Sequence, residues 1–444
     1  MDSHDQKKQR LIAEMQAATG ETVGLGKDTS NLFRDRKGAV QKKLNVRDFN
    51  QVISVNTQEQ WVEVEGMTPY SVLVDALLPS EFMPAVVPQL KSITIGGAVA
   101  GVGIEATSFR HGLVHETILE IEVLLPGGRV VLCTPTNEHK DLFFGFPNSY
   151  GTLGYILKLK AKIIPVKKYV HVMHEKFSDA QTFFRSLEEQ CNGDGDFVDG
   201  VVFSEKEMYV SVGRFVDDAP YASDYTYTKI YYRSIQQKKE DYLTTKDYIW
   251  RWDTDWFWCS RSLFAQNPLV RLLLGRKWLN SVTYTKMMRW SARTGVGDWF
   301  TKLRGLHNES VIQDVCFPIE HCQEFLAFLL RDIKVLPIWT CPSRSPRQDA
   351  DYPLFHLDAA KLYVDFGFWD GVSSKEKRPP GFLNRKIEHE VERLHGKKSL
   401  YSEAFYTKEE FWKIYNKDAY DRLKQKYDPS QKLRDLYEKC VLRA

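Results

Sequence analysis

Apolar and polar residues follow two different periods along the chain. Residues 155–163 alternate four apolar side chains with three lysines, and this period of two predicts a half-buried strand. Residues 7–18 instead place their apolar side chains at helical spacing and predict a helix. Residues 116–133 contain two extended runs joined by a Pro-Gly-Gly turn, which predicts a β-hairpin.

The second half of the chain mixes helical and extended patterns in the same way. Ser178 and Thr407 are each followed three residues later by Gln or Glu, the spacing of a capping box at the start of a helix. Residues 318–333 and 384–395 predict helices, whereas residues 361–369 predict a strand.

Length and composition favour a folded protein with more than one domain. At 444 residues the chain is too long for a single small core, and two domains fit it best. The 43% apolar and 27% charged content is that of a globular protein. A net charge of +3 gives no reason to expect a nucleic-acid partner.

Cysteine usage and hydropathy favour a reducing, aqueous compartment. The seven cysteines form no C-x-x-C pair and no even framework, which favours free thiols and gives no support for a metal site. No run approaches the roughly 20 apolar residues needed to span a bilayer. Residues 1–10 are polar and lack the apolar middle of a signal peptide. We therefore expect a soluble, cytoplasmic protein without a transmembrane segment.

Two glycine patterns imitate nucleotide-binding motifs without the required context. Residues 101–106 match G-x-G-x-x-A, which binds dinucleotides only between a strand and a helix N-terminus. The residues that follow, 107–112, do not read as a helix. Gly26-Lys27 resembles part of a P-loop, but Asp28 replaces the Ser or Thr that would hold magnesium. We expect neither a Rossmann site nor a P-loop.

Three glycine-rich segments lie between short predicted strands, at residues 24–31, 91–112 and 151–154. Glycine lets the backbone approach a ligand closely and presents bare N–H groups to an anion. The pattern favours a large phosphate-bearing cofactor that lies across several loops. The alternative is that these glycines only form tight turns.

The same segments resemble the flavin-binding signature of the vanillyl-alcohol-oxidase family. The resemblance rests on TIGGAVAGVGIEATSFRHGL from Thr94, on residues 24–31 as a first pyrophosphate loop, and on Gly151-x-x-Gly154. The blocks GIEATSFRHGL, DLFFGFPNSYGTLGYI, NPLVRLLLG, LPIWTCP and LYSEAFYTKEEFW more specifically resemble the Δ24-sterol reductase (seladin/diminuto) group. These blocks occur in order from about residue 24 to the C-terminus, so the resemblance covers both predicted domains.

The resemblance implies an α+β fold, with a two-subdomain PCMH-type FAD-binding domain and a substrate domain whose antiparallel sheet is covered by helices. We place the FAD-binding domain at 1–168, with a boundary after Pro165, and the substrate (cap) domain at 169–399. Residues 400–444 are expected to return to the FAD-binding domain. Eukaryotic members of the group begin with a membrane-spanning helix that we do not expect here. The part before Gly24 is short, so the adenine end is expected to be held less tightly.

The resemblance also implies which residues contact FAD. In the first loop they are Gly24, Gly26, Lys27, Asp28, Thr29, Ser30 and Asn31. In the second they are Ser92, Thr94, Gly96, Gly97, Gly101, Gly103, Ile104, Glu105, Ser108, His111 and Gly112, and in the third Gly151, Gly154 and Ile156.

The mode of FAD attachment is predicted from histidine positions. Many relatives tether FAD through a histidine of the first pyrophosphate loop, but residues 24–31 contain none. We therefore expect non-covalent FAD. His111 in the second loop is the alternative tether, against an ordinary hydrogen-bonding role in that loop.

Residues 249–300 hold seven of the eleven tryptophans, interleaved with arginines. Tryptophan and arginine together suit a membrane–water interface or a lipid-binding mouth. The alternative is an aromatic packing layer inside the substrate domain. The first interpretation gives the protein a peripheral membrane contact through this stretch.

The segment SLYSEAFYT supplies the candidate catalytic residues. Reduction of an isolated alkene by a flavin needs a hydride for one carbon and a proton for the other, so an acid must lie near the flavin. Tyr401, Glu403 and Tyr406 can carry that proton, and Tyr401 and Glu403 share one face of an extended segment. Asp365 is a further candidate acid, against an ordinary strand position.

The predicted function is FAD-dependent reduction of a carbon–carbon double bond in a lipophilic substrate, of sterol side-chain Δ24 type. NADPH as donor is implied by the resemblance alone, because no separate nicotinamide motif is visible. One alternative is an FAD-dependent oxidase or dehydrogenase of an alditol or a prenyl-phosphoryl sugar, since the same scaffold runs both directions. Another is a flavin-free fold that binds lipid or protein. Fold resemblance alone does not decide chemistry.

Overall fold

The structure, a computed structural model, describes residues 2–18, 22–27, 33, 42–294 and 305–443. The helices are His4–Ala17, Tyr70–Leu77, Ile95–Ala100, Ser108–His111, Lys140–Gly145, Ala180–Cys191, Tyr231–Ser234, Thr245–Ile249, Pro268–Trp278, Ser281–Thr294, Ile319–Phe328, Phe382–Arg393, Lys408–Ile414, Lys417–Tyr427 and Leu436–Cys440. Short 3₁₀ turns at Leu78–Ser80, Val114–Thr117 and Cys259–Leu263 and a π-turn at Leu329–Ile333 add to them.

The strands are numbered in chain order. They are β1 Val23–Gly26, β2 Lys42–Asn45, β3 Val52–Asn56, β4 Trp61–Glu65, β5 Phe82–Pro84, β6 Ile118–Leu124, β7 Val130–Cys133, β8 Tyr155–Pro165, β9 Tyr169–Phe177, β10 Phe197–Ser204, β11 Glu207–Val216, β12 Glu240–Thr244, β13 His307–Pro318, β14 Ile338–Ser343, β15 Tyr363–Ser374 and β16 Lys397–Lys398.

A six-stranded sheet has β8 at its centre. The order is β3-β4-β8-β6-β7, with β5 also paired to β8. The predicted alternating strand is confirmed, because every second side chain of β8 is buried. Two of its three lysines are only partly exposed: Lys158 pairs with Glu63 at 2.7 Å and Lys160 with Glu120 at 3.1 Å. The predicted hairpin is confirmed as the β6–β7 pair.

An eight-stranded antiparallel sheet forms the second layer, in the order β12-β9-β11-β10-β14-β15-β13-β16. One face packs against helices Ala180–Cys191, Ile319–Phe328 and Phe382–Arg393 and is filled with phenylalanine and valine. Side chains alternate between the faces of a strand. The opposite face therefore carries the other set, which includes Trp339 and Trp369, and looks toward the six-stranded sheet.

The N-terminal helix and the small β1–β2 pair close one end of the first layer. Leu11 and Met15 are buried together with Val23 of β1 and Leu44 of β2. The buried Lys7 ammonium lies 2.9 Å from the Glu65 carboxylate at the end of β4. The helix is thus fixed by apolar packing and one buried ion pair.

Local predictions from the sequence are mostly confirmed, with three corrections. The predicted helix at 318–333 ends at Phe328 and continues only as a π-turn. The Ser178 capping box is wrong, because Asp179 caps helix Ala180–Cys191 by accepting from the Thr182 N–H. A one-turn helix, Ser108–His111, does follow residues 101–106, but a helix precedes them where a Rossmann site requires a strand. The Thr407 capping box is confirmed.

The predicted α+β class with a helix-covered antiparallel sheet is confirmed. The six-stranded sheet uses residues 52–165 and the eight-stranded sheet residues 169–398, while the domain limits themselves stay a prediction. Within the described ranges, no helix has the length and apolar character needed to cross a membrane.

Candidate active site

A cavity of about 300 Å³ lies between the two layers. Its lining combines two kinds of surface. One part is backbone and glycine: Gly24, Gly66, Gly96, Gly97, Gly101, Gly103, Gly151 and Gly154. The other part is aromatic: Phe33, Phe146, Tyr150, Tyr155, Trp256, Phe257, Trp339, Trp369 and Tyr401.

Two kinds of glycine occur in the glycine part. Gly96 packs backbone against backbone, since its N–H donates to the Gly66 carbonyl at 2.9 Å and a Cβ would lie 2.6 Å from that oxygen. A Cβ on Gly97 would meet only the Thr94 hydroxyl and otherwise project into the cavity. Gly96 is therefore needed for the fold, whereas Gly97 leaves room for a ligand.

Positive charge accompanies the glycine part. Lys27 follows β1, and Lys439 donates to the Tyr150 carbonyl at 2.6 Å, next to Gly151. Arg434 also lines the cavity. Among the cavity-lining residues of the described chain, Asp314 alone is acidic. The glycine part of the cavity thus combines bare backbone with nearby cations, while Asp314 lies in the aromatic part. This combination suits a pyrophosphate group, so these residues fit the phosphate portion of FAD.

The aromatic part is held together by ring contacts between distant segments. Phe257 packs on Trp369 of β15 with ring centroids 4.3 Å apart and against Trp339 of β14 at 5.5 Å. Phe33 stacks on Trp256 at 5.2 Å. Such a surface is typical of a pocket for an apolar, polycyclic or chain-like ligand.

Tyr401 carries its hydroxyl into this aromatic part. The Trp369 indole N–H donates to the Tyr401 hydroxyl oxygen at 2.8 Å. The Asp314 carboxyl of β13 also lines the cavity, close enough to the Tyr401 hydroxyl for the two groups to influence each other's ionisation. Burial, followed by the nearby Asp314 charge, raises the pKa of Tyr401 well above its ordinary value. The phenol is thus protonated and oriented at neutral pH.

A second carboxyl lies beside the first on the same sheet face. Asp314 is paired with Gly367, and Asp365, two residues before Gly367, is paired with Cys316. The Cys316 thiol donates to Asp365 Oδ1 at 3.0 Å. Burial, followed by the Asp365 charge, raises the pKa of Asp314 well above its ordinary value, and burial raises the pKa of Asp365 to about 7.

The structure brings about half of the predicted FAD contacts to the cavity. Those that line it are Gly24, Lys27, Thr94, Gly96, Gly97, Gly101, Gly103, Ile104, Gly151, Gly154 and Ile156. Those placed elsewhere are Gly26, Ser92, Glu105, Ser108, His111 and Gly112. Asp28, Thr29, Ser30 and Asn31 lie outside the described residues.

The residues placed elsewhere have other partners in the fold. Glu105 forms a buried ion pair with Arg251 at 2.9 Å, and Arg251 also pairs with Asp199 at 2.8 Å. Gly112 has φ +76°, and a Cβ there would collide with Glu116. His111 does not line the cavity, and burial lowers its pKa to about 4.

Of the predicted catalytic residues, only Tyr401 reaches the cavity. Glu403 forms an ion pair with Arg443 at 2.6 Å. Tyr406 is buried and packs against Phe411 and Tyr415. The structure therefore groups Tyr401 with Asp314 and does not group it with Glu403 or Tyr406.

Sequence reasoning missed Asp314, Trp369, Arg434 and Lys439 as cavity residues. Asp314 and Trp369 lie in strands whose neighbours are set by sheet register, which no local pattern reveals. Arg434 and Lys439 belong to the C-terminal segment that was expected to return to the FAD-binding domain. The basic residues in that segment were the available signal.

Residues 249–300 are buried in their first part and exposed in their second, and the predicted membrane contact stays a prediction. Trp250, Trp252, Trp256 and Trp258 are buried in the packing layer. Farther along, eight of the fifteen exposed large hydrophobic residues of the described chain fall between residues 264 and 290. They include Leu273, which is 86% exposed. Trp299 lies outside the described residues.

Among the described residues, no group of three or more His, Cys, Asp or Glu side chains is arranged to hold a metal ion.

Comparison with known proteins agrees with the flavin fit. Residues 6–134 match the family described as FAD binding domain. The Delta(24)-sterol reductase of Homo sapiens is 28% identical over 403 residues, which is 87% of this chain and 75% of the relative. The Delta(24)-sterol reductase of Arabidopsis thaliana is 24% identical, over 88% of this chain and 75% of the relative. Cytokinin dehydrogenase 7 of Oryza sativa is 28% identical over only 29% of this chain. The chain contains an FAD-binding domain, and the resemblance to the Δ24-sterol reductases is confirmed.

Proposed function

We propose that this chain, an FAD-dependent oxidoreductase that resembles the Δ24-sterol reductases, reduces a carbon–carbon double bond of a lipophilic, sterol-type substrate. NADPH is the proposed reductant, on the strength of the resemblance. The observation that carries the proposal is the oriented Tyr401 hydroxyl in the aromatic part of a glycine-lined cavity. It provides a proton donor inside an apolar site beside the place where a flavin fits.

The glycine part of the cavity would hold the cofactor. Gly97, Gly101 and Gly151 allow a close approach of backbone to the pyrophosphate, and Lys27 and Lys439 compensate its charge. No histidine lines the cavity in the described part of the chain, and residues 24–31 contain none. Both observations support non-covalent attachment of FAD.

The protein side of the reaction is acid catalysis in a dry pocket. When bound and reduced, the flavin supplies a hydride to one alkene carbon. Tyr401 donates its O–H proton to the other carbon, and Trp369 holds the phenol oxygen in place. The rings of Trp256, Phe257 and Trp339 bind the apolar substrate and exclude water.

The test is a visible spectrum followed by an anaerobic titration. The purified protein should be yellow and should release FAD on acid precipitation. NADPH should bleach the flavin, and a Δ24 sterol added afterwards should restore the oxidised spectrum. Bleaching by an alditol or a prenyl-phosphoryl sugar without NADPH would favour the alcohol-oxidising alternative instead. A colourless protein that cannot be reconstituted with FAD would contradict any flavin chemistry.

Peripheral contact with a membrane through residues 249–300 is a further part of the proposal. Helices Pro268–Trp278 and Ser281–Thr294 expose Leu269, Leu273 and Trp290 to solvent. Residues 256–297 contain seven Lys or Arg and no Asp or Glu. Arg261, Arg271 and Arg276 pair with acids outside this stretch, so the exposed apolar side chains are the main support for contact with a bilayer, and the excess of basic residues favours anionic lipids.

The same two helices adjoin the cavity. Leu279 and Tyr284 are buried in a cluster with Leu90 and Trp256, which line the aromatic part. Arg271 fixes the first helix through a buried ion pair with Asp255 at 2.6 Å. The exposed apolar surface thus lies one layer of side chains away from the pocket, which supports transfer of a lipophilic substrate from a membrane.

Charge insertion into this surface should abolish membrane binding. A Leu269→Glu/Leu273→Glu double variant should bind vesicles of phosphatidylcholine and phosphatidylserine at least about tenfold more weakly, because two leucine side chains lose burial worth about 1.5–3 kcal/mol each. Vesicle sedimentation measures the effect. Val72→Glu/Leu132→Glu, at exposed positions outside these helices, is the matched control and should bind like the wild type. Equal binding of both double variants would contradict the proposed surface.

A further inference from the structure

Asp314 is positioned behind the hydroxyl of Tyr401, on the face of the eight-stranded sheet that looks into the cavity. It lines the same cavity as Tyr401, and its carboxyl lies near the Tyr401 hydroxyl. Its Oδ1 atom is buried and has no hydrogen-bond partner within the described chain. A side chain at Gly367 on the paired strand would come within 2.9 Å of that oxygen, so the glycine leaves the space that Asp314 occupies.

On the basis of the proposed alkene reduction, we infer that Asp314 is the source of the proton that Tyr401 delivers to the substrate. Asp314 does not itself contact the substrate. It acts through Tyr401, as a positioning residue that also holds the proton until it is transferred. The groups involved are the Trp369 N–H and the Asp314 carboxyl on one face of the eight-stranded sheet, and the Tyr401 hydroxyl that lies near both at the cavity.

The chemistry of an isolated alkene explains why a phenol alone is insufficient. Such an alkene is a very weak base, and a phenol is an acid with an ordinary pKa of about 10, against about 4 for an aspartic acid. A neutral carboxylic acid is therefore intrinsically the stronger proton source. Burial, followed by the charge of Asp365, raises the pKa of Asp314 well above its ordinary value, which keeps that acid protonated at neutral pH.

We call the transfer of a proton from Asp314 through Tyr401 to the substrate the relay, and it balances in protons and electrons. The Tyr401 O–H bond breaks as the new C–H bond forms, and the Asp314 O–H bond breaks as its proton passes to the Tyr401 oxygen. No phenolate accumulates, and Asp314 is left as a carboxylate that takes a proton from water. The two electrons come with the hydride from flavin that NADPH has reduced.

Asp365 sets the protonation of Asp314. The titratable groups facing Asp314 are Asp365 of β15, Cys316 of β13 and Tyr401, while Tyr150 faces the phenol. Asp365 Oδ2 has no hydrogen-bond partner among the described residues. Two carboxyls on one buried face resist simultaneous ionisation, so the pair retains a proton, and Tyr401 is the neighbour of Asp314 that also lines the cavity.

Asp314→Asn tests the relay in a single turnover. Photoreduced enzyme is mixed anaerobically with a Δ24 sterol, and flavin reoxidation is followed. The variant should reoxidise about 10²- to 10⁴-fold more slowly, as expected for loss of a general acid, with FAD content, NADPH reduction and sterol affinity unchanged. Asp370→Asn, on the same strand as Asp365 but paired with exposed Arg261, is the matched control and should reoxidise at the wild-type rate.

The pH dependence separates the relay from a structural role. The wild-type rate should fall as the pH rises, because the carboxyl pair loses its proton. The rate of Asp314→Asn should not show this decrease at high pH. Asp365→Asn removes a negative charge beside Asp314 and should lower the pKa of Asp314. The decrease in rate should therefore occur at lower pH.

The outcomes distinguish the relay from the proposed function. Wild-type reoxidation and an unchanged pH profile in Asp314→Asn would overturn the relay while leaving alkene reduction intact. Failure of the wild-type reduced flavin to react with any alkene would overturn the proposed function, and the relay with it.

Discussion

Tyr401→Phe is expected to slow reoxidation of the reduced flavin by an alkene substrate by about 10²- to 10⁴-fold, while FAD should stay bound and NADPH should still reduce it. The reason is that the substitution removes one oxygen, the atom that accepts from Trp369 and contacts Asp314. The ring and its edge contact with Phe33 remain. Stopped-flow traces of the two half-reactions measure the effect, because only the oxidative half-reaction needs the proton.

A tyrosine outside the cavity supplies the control for this experiment. Tyr221→Phe removes the same hydroxyl from an exposed side chain and should leave both half-reactions at their wild-type rates. If Glu403→Gln lost reoxidation by the alkene while Tyr401→Phe kept it, Tyr401 would not be the proton donor, and Glu403 would be the acid instead. If an alcohol reduced the flavin of the wild type but not that of Tyr401→Phe, the result would instead favour the alcohol-oxidising alternative.

Local elements of this fold could be predicted because neighbouring residues determine them. The alternation in β8 follows from one buried and one exposed face, and the β6–β7 turn needs the glycine at 128, where φ is +84°. The helix start near residue 178 was predicted one residue early. Ser178 and Asp179 are both good capping residues, and only the backbone geometry selects Asp179.

The sequence predicted where the glycine-rich loops lie, but it predicted less well which of their residues face the cavity. Gly96 and Gly97 are adjacent, yet one is required by backbone packing and the other faces the cavity. Glu105 was expected near the cofactor, but it instead neutralises Arg251 from the second half of the chain. Resemblance identifies a segment, whereas the direction of each side chain depends on what packs behind it.

The acid behind Tyr401 could not be found from sequence, because it depends on the meeting of distant segments. Asp314 lies in a strand of alternating polar and buried residues, where an aspartate reads as an ordinary surface position. Its role appears only when the register of β13 and β15 puts Asp314 beside Asp365 and the C-terminal segment brings Tyr401 over both.

Gly97→Val should weaken FAD binding by about ten- to hundredfold, the equivalent of the 1–3 kcal/mol that overpacking usually costs. The branched side chain would enter the cavity, since the only nearby atom of the protein is the Thr94 hydroxyl. Equilibrium dialysis of FAD against the flavin-free protein measures the effect. Gly127→Val, in the β6–β7 turn where a Cβ meets nothing within 4 Å, is the matched control and should bind FAD normally.

The contrast with Gly154→Val makes this a test of contact with the cofactor and not of folding. A Cβ on Gly154 would lie 2.6 Å from Val123 and 2.9 Å from the Leu124 carbonyl, at a φ of +154°. Gly154→Val should therefore lower the melting temperature of the flavin-free protein, because it separates β6 from β8. Gly97→Val should lower that temperature much less, because its Cβ would lie 2.8 Å from a side-chain hydroxyl, that of Thr94, and from no backbone atom, and it should mainly raise the dissociation constant for FAD. Normal FAD affinity in Gly97→Val would mean that the cofactor does not approach this backbone, and the glycine part of the cavity would lose its assignment.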